Sequence, residues 1–148
     1  MPIFKIFNMK KHVLIVLVVA MLTLTSAVYA LDFDGSQISG LNVTTDIEGA
    51  FSESQAQNKT LAIIFDQDNC VYCDMFKDDV LSNRDVQKEL NEHYIVLLVD
   101  INKNPDIATK YKVYGTPTTQ FLDSNGKEIY KIEGYVTGDE FLKDLREI

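Results

Sequence analysis

The chain has 148 residues, 46% of them hydrophobic, with 14 basic and 22 acidic residues and a net charge of −8. That length fits one globular domain with a targeting segment in front of it, and the acidity excludes a nucleic-acid partner, whose phosphates such a surface repels. Only two cysteines occur, Cys70 and Cys73, so a framework of disulfides stapling distant segments is excluded too.

The first 30 residues read differently from the rest. Lys5, Lys10 and Lys11 form a basic start without an acid, residues 13–24 are almost wholly apolar, and Ser26-Ala27-Val28-Tyr29-Ala30 follows. Val28 and Ala30 stand where a signal peptidase reads small residues, so residues 1–30 are expected to be a secretory signal peptide cleaved after Ala30. The competing reading is an uncleaved anchor, since residues 13–31 hold 19 positions without a charge, near the ~20 that span a bilayer. Either way the rest of the chain is expected to be exported, to the periplasm or the cell exterior. No second apolar run is long enough to span a membrane. From Leu31 on, 11 basic residues face 22 acids, a net charge of −11, which reads as a solvated acidic surface.

Residues 31–45 are rich in Asp, Gly, Ser and Asn and read as a linker or a loosely packed first strand, ahead of a domain over 46–148. Residues 46–58 predict a helix capped by Thr45 or Asp46. Leu61-Ala62-Ile63-Ile64-Phe65 is a strand buried on both faces. A polar loop, Asp66-Gln67-Asp68-Asn69, leads to the cysteines. Residues 70–81 predict a helix with Val71, Met75, Phe76, Val80 and Leu81 as core positions. Ser82 is expected to cap a second helix running to about Glu92, with Val86 and Leu90 on its inner face.

Residues 94–99 form a second buried strand, and residues 106–111 a short helix after Pro105. Gly115-Thr116-Pro117 breaks the chain before a strand over 118–122. Asp123-Ser124-Asn125-Gly126 is a turn, and residues 128–132 pair antiparallel with the strand before it. Thr137 and Glu140 form a capping box for a last helix with Phe141, Leu142 and Leu145 inward. The expected architecture is α/β: a central mixed sheet of four to five strands with helices on both faces.

Disulfide exchange needs a thiolate that attacks and a second thiol that resolves the mixed disulfide. Cys70-Val71-Tyr72-Cys73 at a helix start supplies both. The helix end favours a thiolate on the first sulfur, so Cys70 is assigned as nucleophile and Cys73 as resolving thiol. The rival reading is a metal site. Zinc wants about four ligands, and the histidines are His12, in the targeting segment, and His93. Copper(I) on two thiolates stays open. Gly115-Thr116-Pro117-Thr118 has two readings as well. A trans proline would be a turn residue only, whereas a cis bond would expose the Thr116 backbone as an edge on which a substrate segment could pair beside Cys70.

These residues together resemble the thioredoxin family. The resemblance covers residues 46–148. It joins the strand over 61–65, the Cys70–Cys73 helix start, the strand ending at Val99-Asp100, Lys110-Tyr111-Lys112-Val113, Gly115-Thr116-Pro117-Thr118 and Gly134. Tyr72-Cys73-Asp74-Met75-Phe76 through Val86 is more similar to exported thioredoxin-related reductases than to cytosolic thioredoxin. The resemblance implies a thioredoxin fold, a disulfide oxidoreductase and a cis Pro117 beside the cysteines, with Thr116, Pro117, Val71 and Tyr72 touching substrate.

The chain departs from the family in three places. Asn69 stands where cytosolic thioredoxins have tryptophan, with Val71-Tyr72 between the cysteines. Ile64 stands where they hold a buried acid, and Asp66 and Asp68 read as loop solvation. No histidine lies between the cysteines, so the chain should be a reductant and not a strong oxidant.

The expected function is reduction of an exported protein disulfide or a small disulfide by a monomer. It needs no cofactor and no metal beyond the redox-active cysteines, and a membrane-bound protein serves as electron donor. The alternative is a non-catalytic binding module or a copper(I) carrier on the same fold. Asn42-Val43-Thr44 and Asn58-Lys59-Thr60 fit the glycosylation sequon, which matters only in a host that glycosylates exported proteins.

Overall fold

The computed structural model of the protein describes residues 38–148. The expected signal or anchor segment, and residues 31–37 of the 31–45 stretch, lie outside the described residues. The elements, in chain order, are β1 (Val43–Thr44), α1 (Ile47–Gln57), β2 (Thr60–Asp66), α2 (Val71–Met75) continued by a π-helical turn (Phe76–Leu81), α3 (Arg84–His93), β3 (Tyr94–Asp100), α4 (Pro105–Lys110), β4 (Thr118–Leu122), β5 (Glu128–Glu133) and α5 (Gly138–Glu147).

The strands form one five-stranded sheet in the order β1-β3-β2-β4-β5. Strands β1 and β2 both run parallel to β3, with Ala62 opposite Val96 and Phe65 opposite Val99. Strand β4 is antiparallel to β2, and β5 to β4. The connections match this mixed sheet: helices link the parallel strands β1, β2 and β3, the α4 connection brings β4 back antiparallel beside β2, and the Asp123–Gly126 turn folds β5 straight back. Gly126, at φ +80°, takes the left-handed position of that turn.

Strands β2 and β3 are apolar at nearly every position because both sheet faces are covered. Alternate side chains enter different layers. Ala62, Ile64, Val96, Leu98 and Phe121 pack with Phe76, Val80 and Leu81, with Val86 and Leu90 of α3, and with Phe141 and Leu145 of α5. Leu61, Ile63, Phe65, Ile95, Leu97 and Val99 pack with Ala50 of α1 and Ala108 of α4. The first layer is aromatic at its centre, where the Phe76 and Phe141 rings meet edge to face at 5.2 Å.

Several local signals act as read. Asp46 caps α1 by accepting from the Gly49 N–H at 3.0 Å, Pro105 opens α4, and the Thr137–Glu140 capping box is formed on both sides.

Three expectations are corrected. Val71 and Met75 do not reach the core: they are 70% and 39% exposed, because the inward stripe of this helix runs Cys73, Phe76, Val80. The helix is not α throughout, since its last six residues make a π turn that ends with Ser82 N–H donating to Lys77 O at 3.1 Å. That bond holds Ser82 in helical geometry, so Asn83, not Ser82, caps α3, accepting from Asp85 N–H at 2.9 Å.

Candidate active site

Strand β2 ends at Asp66, and the polar loop after it delivers Cys70 to the start of α2. Asn69 makes the entry turn at φ +59°. Asparagine tolerates this left-handed conformation better than a bulky or β-branched residue, which gives the departure from the family pattern at this position a backbone reason. Cys70 is then the N-cap residue, in extended geometry, and its carbonyl accepts from the N–H groups of Cys73 and Asp74 at 3.0 and 3.1 Å.

Cys70 and Cys73 are joined as a disulfide across a Cα separation of 5.2 Å. The two sulfurs differ in setting. The Cys73 N–H donates to Cys70 Sγ at 3.2 Å, and the Thr116 hydroxyl donates to the same sulfur at 3.4 Å. Cys70 keeps 8% of its surface exposed against 2% for Cys73. Both donors therefore aim at the more accessible sulfur. When the bond is opened, they stabilise negative charge there.

The second segment of the site approaches from the start of β4. The Thr116–Pro117 bond is cis, as the resemblance implied, and the Thr116 carbonyl lies 3.6 Å from Cys70 Sγ. Pro117 is buried, and its carbonyl accepts from Gly134 N–H at 2.8 Å. The Thr118 hydroxyl donates to Gly115 O at 2.7 Å. Cys70, Cys73, Thr116 and Pro117 thus meet in one place, while Val71 and Tyr72, 70% and 61% exposed, stand on its solvent side. The sequence reading did not place Tyr114 here. It is 89% exposed, two residues before Thr116, and an aromatic residue beside the Gly-Thr-Pro break was the available signal.

Asp66 corrects another expectation. It is no loop-solvating acid: it closes β2 and forms an ion pair with Lys77, one helical turn beyond Cys73. Asp66 also accepts from Ile101 N–H through its carbonyl at 2.9 Å. The pair fastens the cysteine-bearing helix to the end of the central strand and places a carboxylate against the lysine's charge. Asp68 and Asp74 are exposed. Among the described residues no group of three or more His, Cys, Asp or Glu side chains is arranged to hold a metal ion, and no helix is long and apolar enough to cross a membrane.

The family model described as a thioredoxin-like domain matches residues 47–148. The chain belongs to the thioredoxin-like family. Among curated relatives, it is 34% identical over 100 residues to a thiol:disulfide interchange protein DsbD from Tatumella citrea, covering 64% of this chain and 17% of that protein. A DsbD from Campylobacter jejuni (strain RM1221) is 29% identical over 126 residues, covering 83% of this chain and 21% of the relative. The chain therefore spans about a fifth of the length of these relatives. Among solved structures, a thioredoxin from Thermus thermophilus superposes with a TM-score of 0.66 at 28% identity, covering 73% of this chain and 86% of that one. The five-stranded mixed sheet with helices on both faces is the thioredoxin fold.

Proposed function

We propose that this thioredoxin-like chain is an extracytoplasmic thiol–disulfide oxidoreductase that works as a reductase. The observation that carries the reading is the pair of donors, Cys73 N–H and the Thr116 hydroxyl, converging on Cys70 Sγ. They favour the Cys70 thiolate, the form that attacks. Relatives named as thiol:disulfide interchange proteins support the same chemistry.

In the reductive direction the Cys70 thiolate attacks one sulfur of a partner disulfide. A Cys70–partner bond forms, and the other partner sulfur leaves as a thiolate that takes a proton from solvent. Cys73, deprotonated, then attacks Cys70 Sγ. The Cys70–Cys73 disulfide forms, and the partner's remaining sulfur leaves and is protonated. Two electrons and two protons pass to the partner. A dithiol protein, held at the membrane, returns the electrons by the same exchange run on Cys70–Cys73. The cysteines carry the electrons without a cofactor.

Direction follows from charge. A strong oxidant needs a heavily stabilised thiolate. Here the two donors act on Cys70, but Asp68 and Asp74 flank the motif and disfavour negative charge, and the Lys77 ammonium is engaged by Asp66. Export rests on the basic and apolar N-terminal sequence.

The test is equilibration with glutathione, read by alkylation of the free thiols. A potential of about −200 to −270 mV supports the reductase, and one near about −120 mV overturns it. In turnover of a disulfide substrate Cys70→Ser should fall to the uncatalysed rate, and Cys73→Ser should accumulate a mixed disulfide through Cys70. Trapping through the other cysteine would reverse the assigned roles.

A further inference from the structure

We infer that Tyr114 is a specificity-determining residue, selecting a cystine in a protein segment that carries an apolar side chain about two residues from the attacked sulfur. The inference rests on the reductase reading above and names the substrate class that reading leaves open.

Tyr114 has the largest exposure of any bulky apolar residue described, 89%, yet the loop that presents it is fixed on both sides. Before it, Val113 is buried and its N–H donates to Ala108 O at 2.9 Å. After it, Gly115 O accepts the Thr118 hydroxyl, and Thr116 touches Cys70 through its hydroxyl and its carbonyl. A ring presented from a braced backbone spares the cost of ordering the loop when it is covered, and covering a tyrosine buries on the order of 150 Å² or more.

Position fixes what would cover it. A disulfide undergoing exchange must sit at Cys70 Sγ, beside Thr116. Tyr114 lies two residues back along the same segment, which bends at Gly115 and Thr116, and so stands at most about 7 Å from Thr116 along the chain. A partner strand passing Thr116 therefore brings the residue about two positions from its cysteine onto the ring. Val71 and Tyr72, exposed on α2 between the two cysteines, flank the disulfide from the helix side. Asp68 and Asp74 are exposed beside them, while Lys112 is exposed on the loop side. A small disulfide bearing carboxylates covers none of the apolar surface and meets the acids on the α2 side. A protein segment with apolar flanks gains from the first and avoids the second.

The experiment uses the full chain, kept reduced by excess small dithiol and corrected for the uncatalysed rate, with three disulfides: two cystine peptides of equal length and charge, with Leu or Ser two residues from each cysteine, and oxidised glutathione. The unaltered protein should show kcat/KM about tenfold higher for the Leu peptide than for the Ser peptide. Tyr114→Ala should bring that ratio close to one, through KM, and Tyr114→Phe should keep it. Ile129→Ala, which removes an exposed apolar side chain on β5, should leave the ratio as it was. A ratio near one in the unaltered protein overturns the inference. So does an equal loss on both peptides in Tyr114→Ala, or glutathione turned over as fast as the Leu peptide. In each of those cases the reductase reading stands. If none of the three disulfides is reduced, that reading falls and the inference with it.

Discussion

The two ends of strand β2 carry different kinds of surface. At the Thr60 end lies a cavity of about 320 Å³, lined by Asn42, Glu53, Gln57, Lys59 and Asn91 among others. At the Asp66 end a disulfide sits between two braced segments, with Val71, Tyr72 and Tyr114 exposed around it. The first end has room and no reactive group, and its amides serve the fold: Asn91 accepts from Asn42 N–H at 2.8 Å and donates to Gly40 O at 2.9 Å. The second has the chemistry. Enclosure suits a small ligand, whereas exchange with a protein disulfide needs one accessible sulfur and a surface another chain can cover.

The comparison breaks most readily through the layer beneath the disulfide. Phe76 follows the cysteine helix directly and packs edge to face on Phe141. Phe76→Ala should cost about 3–5 kcal/mol, measured by denaturant unfolding, and should shift the equilibrium with glutathione because the helix start loses its support. An unchanged potential at that cost in stability would mean that the disulfide end is held by the Thr116 segment alone.

At the other end Asn91→Ala removes two hydrogen bonds, and unfolding should show a loss of about 1–2 kcal/mol. Disulfide reduction by the folded protein should not change. A fall in turnover would tie the cavity to the chemistry and end the contrast.

The smallest effect sharpens the comparison by pH. Tyr94 begins β3 at the cavity end and donates its hydroxyl to Leu145 O at 2.5 Å. Burial first, and the Glu89 carboxylate second, raise its pKa to about 12. The folded-state value lies above the ordinary 10.0, so the stability contributed by the neutral hydroxyl is complete below pH 10 and is lost as pH rises toward 12. Tyr94→Phe should cost about 1 kcal/mol at neutral pH and flatten the alkaline limb between those values, followed by thermal unfolding across the range. An unaltered alkaline limb would assign that loss to other groups.

The strands were legible because a run such as Leu61-Ala62-Ile63-Ile64-Phe65 has only one economical place, between two covered faces. The cap of α5 was legible because Thr137 and Glu140 answer each other within one turn. What was hidden depended on contacts far apart in sequence. Asp66 reads as a loop acid until Lys77 folds back on it. Val71 and Met75 read as core until the Cys73-Phe76-Val80 stripe turns inward and leaves them outside. Asn83 and Ser82 are equally good caps on paper, and the choice is made by where the preceding turn stops. Cys70 and Cys73 were plain from their spacing, but Thr116 could be joined to them only through the family likeness, since 46 residues separate it from Cys70.

The π turn over Phe76–Leu81 accommodates one residue more than a regular helix would need between the cysteines and Asn83. Each residue advances a helix by about 100°, so a regular helix holding that extra residue would turn everything before it by that angle relative to α3. The wide turn absorbs the residue locally instead, and Cys73, Phe76 and Val80 all stay buried. The stretch between the second cysteine and α3 therefore holds slack of one residue: deleting one should turn it into regular helix and leave the sulfur pair aimed as it is, without touching either cysteine.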